Sequence, residues 1–124
     1  MKLLLIALLA FSPLPVFAYG EKVTQVYDGD TITIGESEKV RLMCIDTPEI
    51  RKNSHGRADT ENALRARDYL RNLILNQNVV VARYGKDFFK RTLARIYLKD
   101  GREVNQIMVE QKLAVKYLSN KCHW

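Results

Sequence analysis

The sequence predicts a mainly-β domain of the α+β class: a small five-stranded Greek-key barrel carrying two or three helices. Three observations predict it. Short runs of alternating or β-branched residues are separated by tight polar turns, one long stretch has helical periodicity instead, and that stretch follows the third strand.

Residues 1–18 stand apart. Met1-Lys2 is a minimal basic start, residues 3–10 are uninterrupted apolar, Pro13 and Pro15 follow, and Val16-Phe17-Ala18 has the pattern of a signal-peptidase site. A membrane span needs about 20 predominantly apolar residues, and this run falls short before its prolines. The expectation is a cleavable signal over 1–18 and one domain over 19–124. The protein would then be periplasmic or secreted, with no stable membrane association after cleavage. An N-terminal anchor or a buried core helix is the alternative.

Within the domain, residues 22–27 alternate as a first strand, Asp28-Gly29 turns, and residues 31–34 (TITI) form a second strand. A polar turn over 35–38 leads to a third strand over 39–45 that closes at Asp46. Residues 47–56 (TPEIRKNSHG) lack periodicity and read as a loop. A helix is predicted over 58–75, with Ala63, Ala66, Leu70, Leu73 and Ile74 on one face and Asp59 or Thr60 as its cap. Residues 79–84 make a fourth strand, 86–90 a basic aromatic turn, and 91–98 a fifth strand. After the Asp100-Gly101 turn a second helix is predicted over 103–117, with Val104, Ile107 and Met108 inward, then a short tail. Five strands with a helix after the third is the order of a barrel of the OB type.

Composition bounds the function less tightly. The chain has 124 residues, 47% hydrophobic and 27% charged, which excludes a disordered segment. Lys and Arg exceed Asp and Glu by 20 to 14, which serves solubility or attraction to a polyanion. Cys44 and Cys122 are the two cysteines, and exported proteins permit them to bridge. Cys44 lies in an apolar run, however, so a buried free thiol is equally consistent.

The candidate chemistry sits at strand ends. Asp30 opens the second strand, and Asp46, Thr47 and Glu49 follow the third. Pro48 fixes its own φ and biases Thr47 to extended geometry, holding Asp46 and Glu49 in a set relation. Asp30, Asp46 and the Thr47 carbonyl offer the oxygen donors that Ca²⁺ takes. Arg41 lies inside an otherwise apolar strand, where a charge is costly unless paired or set against an anion. Arg91 starts the fifth strand, and two guanidinium forks beside a cation suit a phosphate. Singly, each feature has a plainer reading: a β-turn at Asp28-Gly29-Asp30, a loop at Asp46–Glu49, surface bases at Arg41 and Arg91. All four in this order and spacing point to phosphate chemistry.

These residues carry a resemblance. Tyr27-Asp28-Gly29-Asp30-Thr31, Val40-Arg41-Leu42, Ile45-Asp46-Thr47-Pro48-Glu49, Asp87 to Arg91, and Val104-Asn105 with Gln111-Lys112-Leu113-Ala114 resemble the thermonuclease (staphylococcal-nuclease-like) family. The resemblance runs from about Lys22 to Tyr117. It implies an OB barrel and Ca²⁺-dependent endonucleolytic cleavage of DNA and RNA. The products would carry 3′-phosphate ends, with single-stranded or A·T-rich stretches preferred. It implies Asp30, Asp46 and the Thr47 carbonyl as metal ligands, and Arg41, Glu49 and Arg91 as catalytic residues. Where the family commonly has Tyr-Gly-Arg, this chain has Phe89-Lys90-Arg91, which bears on the placement of Arg91. The segment after Glu49 is also shorter than in the best-known member, and that member's final helix has no counterpart.

Lys86, Phe89, Lys90 and Tyr117 are candidate substrate contacts, with Phe88, Arg95 and Lys116 nearby in the pattern. Bases would track a phosphate backbone and aromatics would stack a nucleobase, unless the aromatics are core residues. His55 and His123 are assigned no role. A monomer is expected. The competing class is a catalytically inactive OB-fold module that only binds nucleic acid, for which Glu49 beside Asp46 would serve no purpose.

Overall fold

A computed structural model describes residues 20–50, 60–120, 122 and 124. The signal expected over 1–18, the proposed cap Asp59, His55 and His123 lie outside the described residues. The elements are β1 (Glu21–Val26), β2 (Thr31–Ile34), β3 (Glu38–Leu42), β4 (Ile45–Asp46), α1 (Thr60–Ile74), β5 (Asn78–Lys86), β6 (Thr92–Tyr97), α2 (Val104–Glu110) and β7 (Val115–Lys116).

Five strands close into a barrel in the order β1-β2-β3-β6-β5, the OB-type Greek key expected. β1, β2 and β3 form an antiparallel meander, with Thr31 opposite Arg41. The connection through α1 brings β5 back beside β1, and β5 and β6 form a hairpin. β6 then closes the barrel by pairing parallel to β3, with Arg41 opposite Leu93. Full closure leaves the barrel no open edge.

Alternation fills the interior. Val23, Val26, Ile32, Ile34, Val40, Leu42, Ala94 and Ile96 are buried in it, and Ala66, Leu70 and Ile74 of α1 pack against it with Val104 and Met108 of α2. The helical faces read from the sequence are therefore the buried ones, although Leu73 is only partly covered. At one end Arg83 of β5 binds Glu21 of β1 and Glu38 of β3, its Nη2 lying 2.7 and 2.6 Å from their carboxylates. Those hydrogen bonds, with a weaker one from Thr92, hold the Glu38 carboxyl down at about 2.

Four boundaries that bear on the site or its surroundings differ from expectation. The third strand does not run to Ile45; it stops at Leu42, and Cys44 takes a left-handed φ of 66° before β4 begins. A side chain from α2 supports this break. Asn105, fully buried, donates through Nδ2 to the Met43 carbonyl at 2.9 Å and to the Ala94 carbonyl at 3.1 Å, and accepts from the Ile96 N–H. The second helix ends at Glu110 rather than Tyr117. Lys112 adopts φ 59°, and the Leu113 and Ala114 amides turn back to the Met108 carbonyl, closing the helix end. The released chain forms β7, which pairs with β4. Finally, the fourth strand extends to Lys86 through a register shift, and the fifth starts at Thr92 rather than Arg91.

Cys44 and Cys122 are bridged, with Cα atoms 5.4 Å apart. This settles the alternative that the sequence left open in favour of a disulfide.

Asn105→Leu leaves the Met43 carbonyl and the Ile96 amide buried without their partner. The expected loss is about 2–3 kcal/mol in urea unfolding, from unsatisfied buried polar groups.

Candidate active site

Asp30 is placed by a turn with no room to spare. Its amide is held by Asp28 Oδ1 at 3.0 Å. A Cβ on Gly29 would stand 2.7 Å from the Ala66 Cβ of α1 and 2.9 Å from Thr47 Cγ2. The glycine is thus required by close approach. It lets the β1–β2 turn lie directly under α1 and the Thr47 segment.

The carboxylate of Asp30, only 5% exposed, gathers three donors. The Thr31 hydroxyl donates to Oδ1 at 3.1 Å, the Thr47 amide to Oδ2 at 3.3 Å, and Arg41 Nη1 lies 3.3 Å from Oδ2. Arg41 also donates to the Leu42 carbonyl at 2.7 Å and reaches Asp46 Oδ1 with Nη2 at 3.6 Å. One guanidinium therefore joins two carboxylates from separate elements. Asp46 reaches it because the break at Cys44 redirects the chain into β4, which β7 pins by pairing Asp46 with Val115.

Electrostatics makes this cluster a place for a cation. Burial pushes the Asp30 carboxyl up to about 7, against the pull of Arg41, and the neighbouring Asp28 carboxylate adds to the rise. Asp28, Asp30 and Asp46 stand against a single guanidinium. Two carboxylates meeting one guanidinium, with the buried Thr47 next in the chain after Asp46, offer oxygen donors of the kind a hard dication takes. No group of three or more His, Cys, Asp or Glu placed to hold a metal ion occurs among the described residues, so water or substrate oxygen would have to complete any coordination. Glu49 lies beyond Pro48, exposed to solvent.

Arg91 is placed by a second turn. Asp87 organises it: Oδ1 accepts the Phe89 and Arg91 amides at 2.9 Å each, and Oδ2 accepts Arg91 Nε at 2.7 Å. The Lys90 amide returns to the Asp87 carbonyl and the Asp87 amide to the Arg91 carbonyl. That is a three-residue hairpin, whose last loop position takes a left-handed conformation. Lys90 occupies it with φ 63°, where a side chain costs roughly 1–2 kcal/mol. The departure from glycine is accommodated without loss of the turn.

Arg41, Asp46 and Asp87 line one cleft of about 310 Å³, together with Tyr117, Ser119 and Cys122. The structure thus brings Asp30, Arg41, Asp46 and Thr47 into contact, and sets Asp87, which holds Arg91, on the same cleft. The aromatics are not core residues. Phe88 and Phe89 are 94% and 75% exposed at the hairpin tip and pack edge to face, with the Arg91 guanidinium 5.5 Å from the Phe89 ring. Lys86, Lys90 and Tyr117 are exposed around them. Sequence reasoning missed the work of Gly29, Asp87 and Asn105. Asp87 had a visible signal, an Asp opening a short hairpin loop, whereas Gly29 passed for an ordinary turn glycine.

Because the native Asp30 carboxyl sits above its unfolded value of 3.8, the folded state holds the extra proton, and stability falls as pH rises from about 4 to about 7. Asp30→Asn should therefore raise the melting temperature of the metal-free protein at pH 8 by roughly 5 °C or more while changing it little at pH 4. Calorimetric melts of the metal-free parent and variant at pH 4 and at pH 8 check this.

Comparison with known proteins places this geometry. Residues 39–123 match the family model described as staphylococcal nuclease homologue. An Escherichia coli O157:H7 protein described as an uncharacterized endonuclease is 36% identical over 99 residues, covering 77% of this chain and 60% of that protein. A Haemophilus influenzae protein of the same description is 36% identical over 100 residues, covering 77% and 51%. The thermonuclease of Staphylococcus intermedius is 38% identical over 88 residues, covering 63% and 48%. The chain thus spans between about half and three fifths of the length of these relatives. The family match covers more than half of the chain, from β3 onward, and includes Arg41, Asp46 and Arg91; the chain belongs to the staphylococcal nuclease family.

Proposed function

We propose that the protein is an exported, Ca²⁺-dependent endonuclease that hydrolyses phosphodiester bonds in DNA and RNA and leaves 3′-phosphate ends. The observation that carries this reading is the convergence of Asp30 and Asp46 on Arg41 at the mouth of a cleft. Relatives described as endonucleases support it.

Asp30, Asp46 and the Thr47 carbonyl would hold the Ca²⁺, whose charge polarises a nonbridging phosphate oxygen. Arg41 stands between the two carboxylates, where its guanidinium meets the same phosphate and stabilises the charge that builds up on its equatorial oxygens. Asp87 engages Arg91 through Nε, leaving the Nη donors of that guanidinium for a second phosphate oxygen. Arg does not readily give up a proton, so both arginines act electrostatically rather than as acids. Glu49, exposed three residues beyond Asp46, would orient and deprotonate the attacking water as general base.

Substrate outside the scissile phosphate meets Lys86 and Lys90, which track the backbone, and Phe89 and Tyr117, which stack a base. Stacking requires an unpaired base, which favours single-stranded and easily opened A·T-rich stretches. The bridge between Cys44 and Cys122 suits the oxidising compartment to which a signal at 1–18 would deliver the chain.

The test is cleavage of heat-denatured DNA by the purified protein with Ca²⁺ and with EGTA. Cleavage needs Ca²⁺, and Arg41→Ala, Glu49→Ala and Arg91→Ala each lower the rate by about 10²–10⁴-fold, the size of a group acting in the transition state. Retained DNA binding without cleavage by the parent protein would instead make it a catalytically inactive OB-fold binding module.

A further inference from the structure

The cleft has two walls of different origin. One belongs to the barrel and its continuation: Arg41 of β3, the 43–45 segment and Asp46. The other comes from chain that follows β7: Tyr117, Ser119 and Cys122. That second wall has little packing of its own. Leu118 is 82% exposed and Tyr117 56% exposed, and the two residues of β7 are exposed as well. The Cys122 amide hydrogen-bonds the Ser119 carbonyl at 2.9 Å and the Ser119 hydroxyl meets Cys122 Sγ at 3.2 Å, so these bonds shape the segment internally without fastening it to the barrel.

Three contacts among the described residues join this wall to the barrel. The Tyr117 amide donates to the Cys44 carbonyl at 2.8 Å. Cys122 is covalently joined to Cys44, across 78 residues of sequence. The Trp124 indole is met by two cations, Arg95 of β6 with its guanidinium 5.3 Å from the ring centre and Lys116 of β7 with its ammonium 5.0 Å away. Two of the three converge on Cys44, the residue whose left-handed turn sends the chain to Asp46.

We propose that the Cys44–Cys122 bridge and the Trp124 clamp are positioning elements of the substrate cleft: they hold the wall of Tyr117, Ser119 and Cys122 against it and so set affinity for the nucleic acid. This inference rests on the nuclease reading for its substrate. Arg41, Glu49 and Arg91 lie outside the tethered segment, so opening the wall leaves them in place. A cleft competent in only a fraction of molecules binds with a dissociation constant divided by that fraction. The loss therefore falls on KM and not on kcat. A two-residue strand pairing is a small unit that opens locally at low cost, and the bridge is what prevents it. A dithiol can remove the constraint chemically. Two electrons pass to the Cys44–Cys122 bond, giving two thiols, while the dithiol closes to its own cyclic disulfide.

The experiment compares three forms of the full chain at saturating Ca²⁺: the oxidised parent, the double variant Cys44→Ala/Cys122→Ala, and Trp124→Ala with its bridge intact. Circular dichroism fixes a temperature at which each is folded. Cleavage of a fluorescent single-stranded oligonucleotide gives KM and kcat, and its anisotropy in EGTA gives binding without chemistry. The double variant should raise KM and the anisotropy Kd by about tenfold, as expected if the wall is closed in roughly one molecule in ten, with kcat within about threefold of the parent. Trp124→Ala should raise both constants by a few-fold, and dithiothreitol should reproduce the double variant on the parent, reversibly on reoxidation. Unchanged KM and Kd in the folded double variant would overturn the proposal. So would a fall in kcat at constant KM, the mark of a merely less stable protein. If the double variant does not fold, the Trp124→Ala result decides alone, unchanged constants overturning the proposal. If the oxidised parent binds the oligonucleotide but does not cut it, the nuclease reading fails, and the anisotropy series still decides whether the tethered wall governs binding.

Discussion

Asp30 is buried at 5% exposure with a hydroxyl, an amide and a guanidinium around its carboxylate, and the active end of the barrel is arranged to keep it there. Burial of a carboxylate costs several kcal/mol unless the charge is met, and Arg41 on the neighbouring strand meets it only in part. The incomplete match is informative. A carboxyl raised to about 7 carries a charge that its neighbours do not fully meet. Gly29 permits the burial, Thr47 caps it, and Asp46 extends it to the surface.

Strand ends and turns deliver the remaining groups. The barrel supplies rigid spacing, with Arg41 opposite Thr31 across β2 and β3, and Leu93 opposite Arg41 across the parallel β3–β6 closure. Asp87 then locks the hairpin that precedes β6, so that Arg91 leaves the barrel in a defined direction. Asn105 plays the matching part on the other side, tying α2 to β6 and to the break after β3. Each polar side chain replaces backbone hydrogen bonds that an irregular segment cannot make for itself.

Much of this was legible in the residues. Period-two alternation found the barrel strands and period 3.6 found α1, because both elements bury one face and expose the other. The grouping of Asp30, Arg41, Asp46 and Thr47 was legible too, since charged residues at apolar strand ends have few plain uses. What escaped was set by tertiary contacts. Residues 42–45 are Leu-Met-Cys-Ile, a continuous apolar run with no turn residue, yet Cys44 takes a left-handed conformation there, beside the Met43 carbonyl that Asn105 binds. Lys112 ends α2 in the same way without glycine to announce it, and Lys90 does so in the hairpin. Tertiary structure supplies the cost of three left-handed side chains, and local propensity does not reveal them.

The central claim is that Asp30 and Asp46 together form the cation site on which cleavage depends. It is tested most directly by the dependence of the single-turnover cleavage rate on Ca²⁺ concentration in the parent and in Asp46→Asn. The account predicts that the half-saturating Ca²⁺ concentration rises by about tenfold or more, the loss of roughly 1.4 kcal/mol or more of binding free energy, while the rate at saturation is largely recovered. An unchanged half-saturating concentration, or cleavage that persists in EGTA, would contradict it.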